Sequence, residues 1–134
     1  MNLEAVRISL QKIYELNKNI KFLEMRINSR QHSDSEVHVN RKGNPREDLQ
    51  DKKMDYEDDL TKELDRLKKV RMILNEKIEM ITAPENIKTA MIFYYVNGES
   101  AEEIGYKMHY SRGHVHRLLN QGKSLYYKEK DATP

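Results

Sequence analysis

The sequence predicts an all-α protein: a long, coiled-coil-like N-terminal helical hairpin followed by a three-helix helix-turn-helix domain. Three observations predict it. Apolar residues recur every three or four positions along two long stretches, 2–31 and 47–82. Between them, His32–Arg46 gathers Ser, Asn, Gly and Pro and loses that period. Third, Glu99–Tyr127, ESAEEIGYKMHYSRGHVHRLLNQGKSLYY, reads as two helices around a tight turn. The composition agrees. Of 134 residues, 37% are hydrophobic and 34% charged, which favours narrow apolar seams on solvated helices over one large core.

In the first stretch Leu3, Val6, Leu10, Ile13, Asn17, Ile20 and Ile27 hold the helical spacing, interrupted by Glu24, and Leu16 and Leu23 widen the stripe. Such a helix would be about 45 Å long and needs a partner along its seam. Asn17 falls on that seam, where one polar residue either sets register or sits at the seam's edge and touches water. The segment 32–46 reads as a loop, with Arg41 and Lys42 as its cations.

From Glu47 to Thr82 a second helix carries Tyr56, Leu60, Leu64, Leu67, Val70, Leu74, Ile78 and Ile81 on its seam. Its first half is acidic, through Asp51, Asp55, Glu57, Asp58 and Asp59, while the first helix ends basic, with Lys21, Arg26 and Arg30. An antiparallel hairpin lays those regions side by side. Leu16, Leu23, Leu64 and Ile73 exceed what one partner covers, so residues 1–82 are expected to form a homodimer or higher homo-oligomer.

Residues 84–128 form the second expected domain, with 129–134 a frayed tail. Pro84 suits a helix start, Glu85–Val96 carries Ile87, Ala90, Met91, Tyr94 and Tyr95 on its buried side, and Asn97-Gly98 is a left-handed stop. Ser100 caps the next helix with Glu103 in capping-box position. Ala101, Ile104 and Met108 form its apolar side, His109-Tyr110 turns the chain, and Ser111 caps a longer helix. Val115, Leu118, Leu119 and Leu125 mark one face of that helix; Arg112, His114, His116, Arg117, Asn120, Gln121 and Lys123 mark the other.

The net charge of +2 argues for nothing by itself, but its distribution does. Between Tyr106 and Lys130 stand six Lys/Arg and one acid, whereas 47–82 holds eleven acids and eight Lys/Arg. Basic side chains thus gather on the element suited to a DNA major groove. The chain has no Cys, so neither disulfides nor thiolate chemistry is available. No signal-peptide core and no run near the length of a membrane span is present, and a cytoplasmic protein of a bacterial host cell, with no membrane partner, is expected. His114 and His116 point about 200° apart on a helix, so His109, His114 and His116 are not expected to share a metal. No catalytic constellation, cofactor or small-molecule substrate is expected either.

NGESAEEIGYKMHYSRGHVHRLLNQGKSL resembles the helix-turn-helix of region 4 of bacterial sigma factors. Gly98 ends the preceding helix, Glu102-Glu103-Ile104 forms the acidic first helix, and Ser111-Arg112 with Val115 opens the recognition helix. The likeness covers residues 84–128. The whole layout resembles small phage and prophage regulators of the ArpU/RinA type, which place a helical region before a sigma-like domain and control late phage genes. Nothing before residue 84 resembles a promoter-melting region, which excludes a free-standing sigma factor. The resemblance implies sequence-specific binding to double-stranded DNA, with RNA polymerase as a further candidate partner. Carried over, the base-reading positions are Arg112, Gly113, His116 and Arg117, with Gly113 departing from the side chain usual there. Lys107, Tyr110, Ser111, His114 and Lys123 stand where phosphates pass. Two alternatives are a phage small terminase subunit, whose helix-turn-helix typically comes first, and a coiled-coil adaptor without DNA.

Overall fold

The computed structural model describes residues 1–33 and 45–132, which after the first four residues lie in helices or the short turns between them. The helices are α1 (Ala5–Ser33), α2 (Pro45–Met80), α3 (Glu85–Met91), a π turn (Ile92–Val96), α4 (Ala101–Met108) and α5 (Arg112–Ala132). The expected loop 32–46 falls almost wholly outside the described residues. Pro45 opens α2 two residues before the expected start, where its missing N–H costs nothing. The backbone of α5 stays helical to Ala132, so most of the expected tail continues the helix.

The chain divides by contact into two units. One is Ser9–Arg66; the other joins Met1–Ile8 to Leu67–Pro134. The boundary expected between residues 82 and 84 is therefore not where the contacts part.

The unit Ser9–Arg66 is an antiparallel helix pair. Leu23, Ile27 and Leu49 are buried in one cluster with Tyr56 packed against it. Nearer the other end, Ser9 Oγ donates a 2.7 Å hydrogen bond to Glu63 Oε1, with both residues buried. These contacts correct the expected seams. Glu63 takes the seam place given to Leu64, which stays 46% exposed. On α1 the seam runs through Ile13, Leu16, Ile20, Leu23 and Ile27, and Asn17 faces solvent. Leu16 and Leu23 thus belong to the seam rather than widening it. The end of α1 and the start of α2 do lie side by side, and among the described residues Lys53 of α2 meets Glu24 of α1 at 3.4 Å, with the acid on α1. Arg26, expected beside the acids, sits 5.8 Å over the Phe22 ring.

In the other unit, the buried side chains include Leu3 and Val6 from the chain start, Leu74 and Ile78 from α2, and Ile87 and Met91 from α3. Hydrogen bonds fasten the chain start: Tyr126 O–H donates to the Met1 carbonyl at 2.6 Å, and Leu3 N–H to Tyr127 Oη at 3.3 Å. The expected helix 85–96 widens at Ile92, where Asn97 N–H reaches back five residues to the Ile92 carbonyl at 3.0 Å. Gly98 then takes φ 73°, the left-handed stop, at little steric cost. Two arginines satisfy carbonyls at this helix end. Arg71 Nε donates to Val96 O at 3.0 Å and Arg7 Nη2 to Glu99 O at 3.1 Å.

Candidate nucleic-acid interface

The two caps set the geometry of the helix-turn-helix. Ser100 Oγ accepts from Glu103 N–H at 3.2 Å and donates to Glu103 Oε1 at 3.2 Å, so the Glu103 carboxylate meets the cap hydroxyl. Ser111 Oγ accepts from His114 N–H at 3.1 Å. Between them α4 ends on His109 at φ 60°, ψ 41°, with Tyr110 N–H bonded to Gly105 O at 2.9 Å. Histidine tolerates this left-handed backbone better than most residues. Gly105 is required by contact: a Cβ there would lie 2.6 Å from the Tyr110 carbonyl oxygen.

Packing then decides which face of α5 stays free. Val115, Leu118, Leu119 and Tyr126 are buried, and Gly122 lies so close to α3 that a Cβ would stand 2.3 Å from Met91 Sδ. Arg112, Gly113, His116, Arg117, Asn120 and Lys123 are exposed. At 100° per residue, Arg112, His116, Asn120 and Lys123 line one edge of that face, and Gly113 and Arg117 the adjoining one. No acid occurs between Ile104 and Lys128, so over that span α5 contributes no carboxylate of its own to its exposed face. Arg112 and Lys123 are about 16 Å apart along the axis, more than the ~12 Å width of a B-DNA major groove. A helix whose first turn enters a groove would therefore carry Lys123 towards the phosphates at its edge.

The other expected residues fall into different settings. Ser111 is exposed and its oxygen is the cap acceptor, which leaves its O–H free to donate. Tyr110 and His114 are half-buried against each other, ring edge to face at 4.4 Å. Lys107, placed among the phosphate contacts, points elsewhere: its ammonium bonds the Glu99 carboxylate and lies 5.2 Å from the Phe93 ring. Arg112 Nη1 stands 3.5 Å from Glu102 Oε1, both side chains well exposed at 67% and 75%. Exposed pairs of this kind are worth about 0–1 kcal/mol and exchange readily.

Sequence reasoning missed Arg7. It comes from the first helix, yet its guanidinium stacks on the Tyr94 ring at 3.7 Å, and both residues line a cleft with Arg112 and His116. Spacing in the sequence carries no signal for that neighbourhood. Among the described residues, no group of three or more His, Asp or Glu side chains is arranged to hold a metal ion, and no helix is long and apolar enough to cross a membrane. No protein family, curated protein or solved structure matches this chain.

Proposed function

We propose that the chain is a sequence-specific, double-stranded DNA-binding transcriptional regulator that controls phage late genes. The observation that carries this reading is the exposed face of α5, which has no acid of its own up to Tyr127 and presents Arg112, His116 and Arg117 opposite the buried Val115, Leu118 and Leu119. Arginine can hold guanine O6 and N7 together, and histidine can donate to N7. Arg112, Gly113, His116 and Arg117 read bases; Ser111, Tyr110, His114 and Lys123 meet phosphates, which orient the protein without specifying sequence. Lys107 stays in the phosphate set only if DNA draws it from Glu99.

The regulator acts as a homodimer through residues 1–82, which gives two recognition helices for two half-sites. What supports dimerisation is apolar surface left open on the Ser9–Arg66 unit, at Tyr14, Phe22, Met25 and Met54.

Binding selection on random duplexes, followed by titrations at fixed salt, tests the reading. Arg112→Ala and Arg117→Ala should each cost about 1–3 kcal/mol on the selected site, whereas Lys123→Ala should weaken selected and random duplexes alike. Equal losses on both duplexes for all three variants would remove the base-reading assignment. Absence of salt-sensitive binding by the unmodified chain would remove the DNA reading and leave the adaptor.

A further inference from the structure

Among the described residues, Arg7 has a charge with no carboxylate to meet it. Its Nη2 donates to the Glu99 carbonyl at 3.1 Å, its plane covers Tyr94 at 3.7 Å, and its Nε is buried without a hydrogen-bond partner. Among the described residues no Asp or Glu pairs with it. A guanidinium stacked on an aromatic face is held in place while its remaining donors stay available. Beside it opens a cleft of about 380 Å³, lined by Arg7, Tyr94, Ser100, Glu102, Arg112 and His116. The cleft is open to solvent, so a phosphodiester group can enter it.

The cleft adjoins the first turn of α5, where Arg112 and His116 sit one helical turn apart. In the docking proposed above, with the first turn of α5 in a groove, a strand of backbone borders the groove beside that turn. Arginine is the side chain whose fork of donors matches phosphate oxygens. The one acid on the cleft wall, Glu102, lies 3.5 Å from Arg112 in the free protein.

We propose that Arg7 is a backbone-phosphate ligand of the DNA-binding surface, that the phosphate lies in the cleft shared by Arg7, Arg112 and His116, and that Glu102 opposes it there. This rests on the DNA-binding reading and adds a contact from the chain start to it. Arg7 contributes affinity without sequence preference. Glu102 holds Arg112 until a base edge replaces it, and its charge repels the incoming phosphate.

The test uses the full chain and a short random-sequence duplex, titrated over a series of salt concentrations, with thermal melts of every variant. Arg7→Gln should bind several-fold more weakly, with the slope of log K against log salt shallower by about 0.9, the value of one phosphate contact. Arg7→Lys keeps a cation and should restore most of the slope. Glu102→Gln leaves Arg7 untouched and should bind several-fold more tightly. If the unmodified chain binds the duplex but Arg7→Gln keeps its salt slope, or Glu102→Gln binds no better, the inference falls and the DNA reading stands. If the unmodified chain shows no salt-dependent binding, both fall together.

Discussion

Gly105 and Gly113 lie eight residues apart on the two helices of the same motif and face opposite constraints. A Cβ at Gly105 would press to 2.6 Å on the backbone oxygen of Tyr110, which cannot rotate away, whereas one at Gly113 meets nothing within 4 Å. Alanine gains up to about 1 kcal/mol over glycine inside a helix. At Gly105 the clash overrides that gain, and Gly105→Ala should destabilise by about 1–3 kcal/mol. Gly113→Ala should melt no lower than the parent. If Gly113 lets backbone approach a base edge, the same variant loses affinity for a selected site while its fold is intact. Unchanged affinity would take Gly113 out of the base-reading set. Tyr95 offers a test by pH. Burial, with a smaller contribution from Glu4, pushes its hydroxyl up to about 12 from the ordinary 10. The folded protein therefore prefers neutral tyrosine. The stability linked to this group is full below pH 10 and is lost as pH rises to 12, because the unfolded chain releases its proton first. Tyr95→Phe has no such proton, and its urea midpoint should fall less steeply across that window; parallel curves would show that Tyr95 does not titrate as its burial requires.

At the scale of elements, the caps were legible and the hairpin register was not. Ser100, Ser111 and Gly98 act within a few residues of themselves, so residue type and spacing determine them. The register depends on which residues meet across two helices, and an apolar pattern hides any polar member of the seam. Ser9 and Glu63 are that case: at 2% and 9% exposure they are bonded inside the hairpin, while Asn17, the polar residue the pattern singles out, faces water. The π turn at Ile92–Val96 was illegible for a related reason, since nothing in IFYYV distinguishes five-residue from four-residue closure. The Ser9–Glu63 bond has a measurable consequence. Removing one partner strands the other without its bond, at about 1–3 kcal/mol, while replacing both by apolar groups of similar size is close to neutral. Ser9→Ala and Glu63→Leu should each lower stability, and the pair together should lose clearly less than the sum of the two. Additive losses would show that the hydroxyl and carboxylate do not depend on one another.

Over the whole molecule, linear order and contact order disagree. A boundary at Thr82-Ala83-Pro84 is natural in the sequence, where one long periodic helix stops and shorter ones begin. The contacts instead gather Met1–Ile8 and the last part of α2 with the helix-turn-helix. Two consequences were illegible from a pattern read along the chain: the cleft beside α5 has Arg7 on its wall, and the carbonyls after α3 are met by Arg7 and Arg71. A fragment starting at residue 84 would lose Leu3, Val6, Leu67, Leu74, Ile78 and Ile81, all buried. Each such side chain is worth about 1.5–3 kcal/mol when buried, and small domains are stable by about 5–15 kcal/mol in all. The fragment 84–134 should therefore be largely unfolded, with helix content well below its share in the full chain. A fragment from Leu67 to the end should recover part of the structure, and adding a peptide of residues 1–8 should raise its melting temperature by binding the folded form. Circular dichroism and hydrogen exchange on the three preparations decide the matter. If 84–134 folds cooperatively alone, the sequence boundary is the physical one and the chain start is an accessory. If it folds only when the start of α1 and the end of α2 are restored, the helix-turn-helix unit is assembled from both ends of the chain, and no substitution near Met1 can be presumed remote from α5.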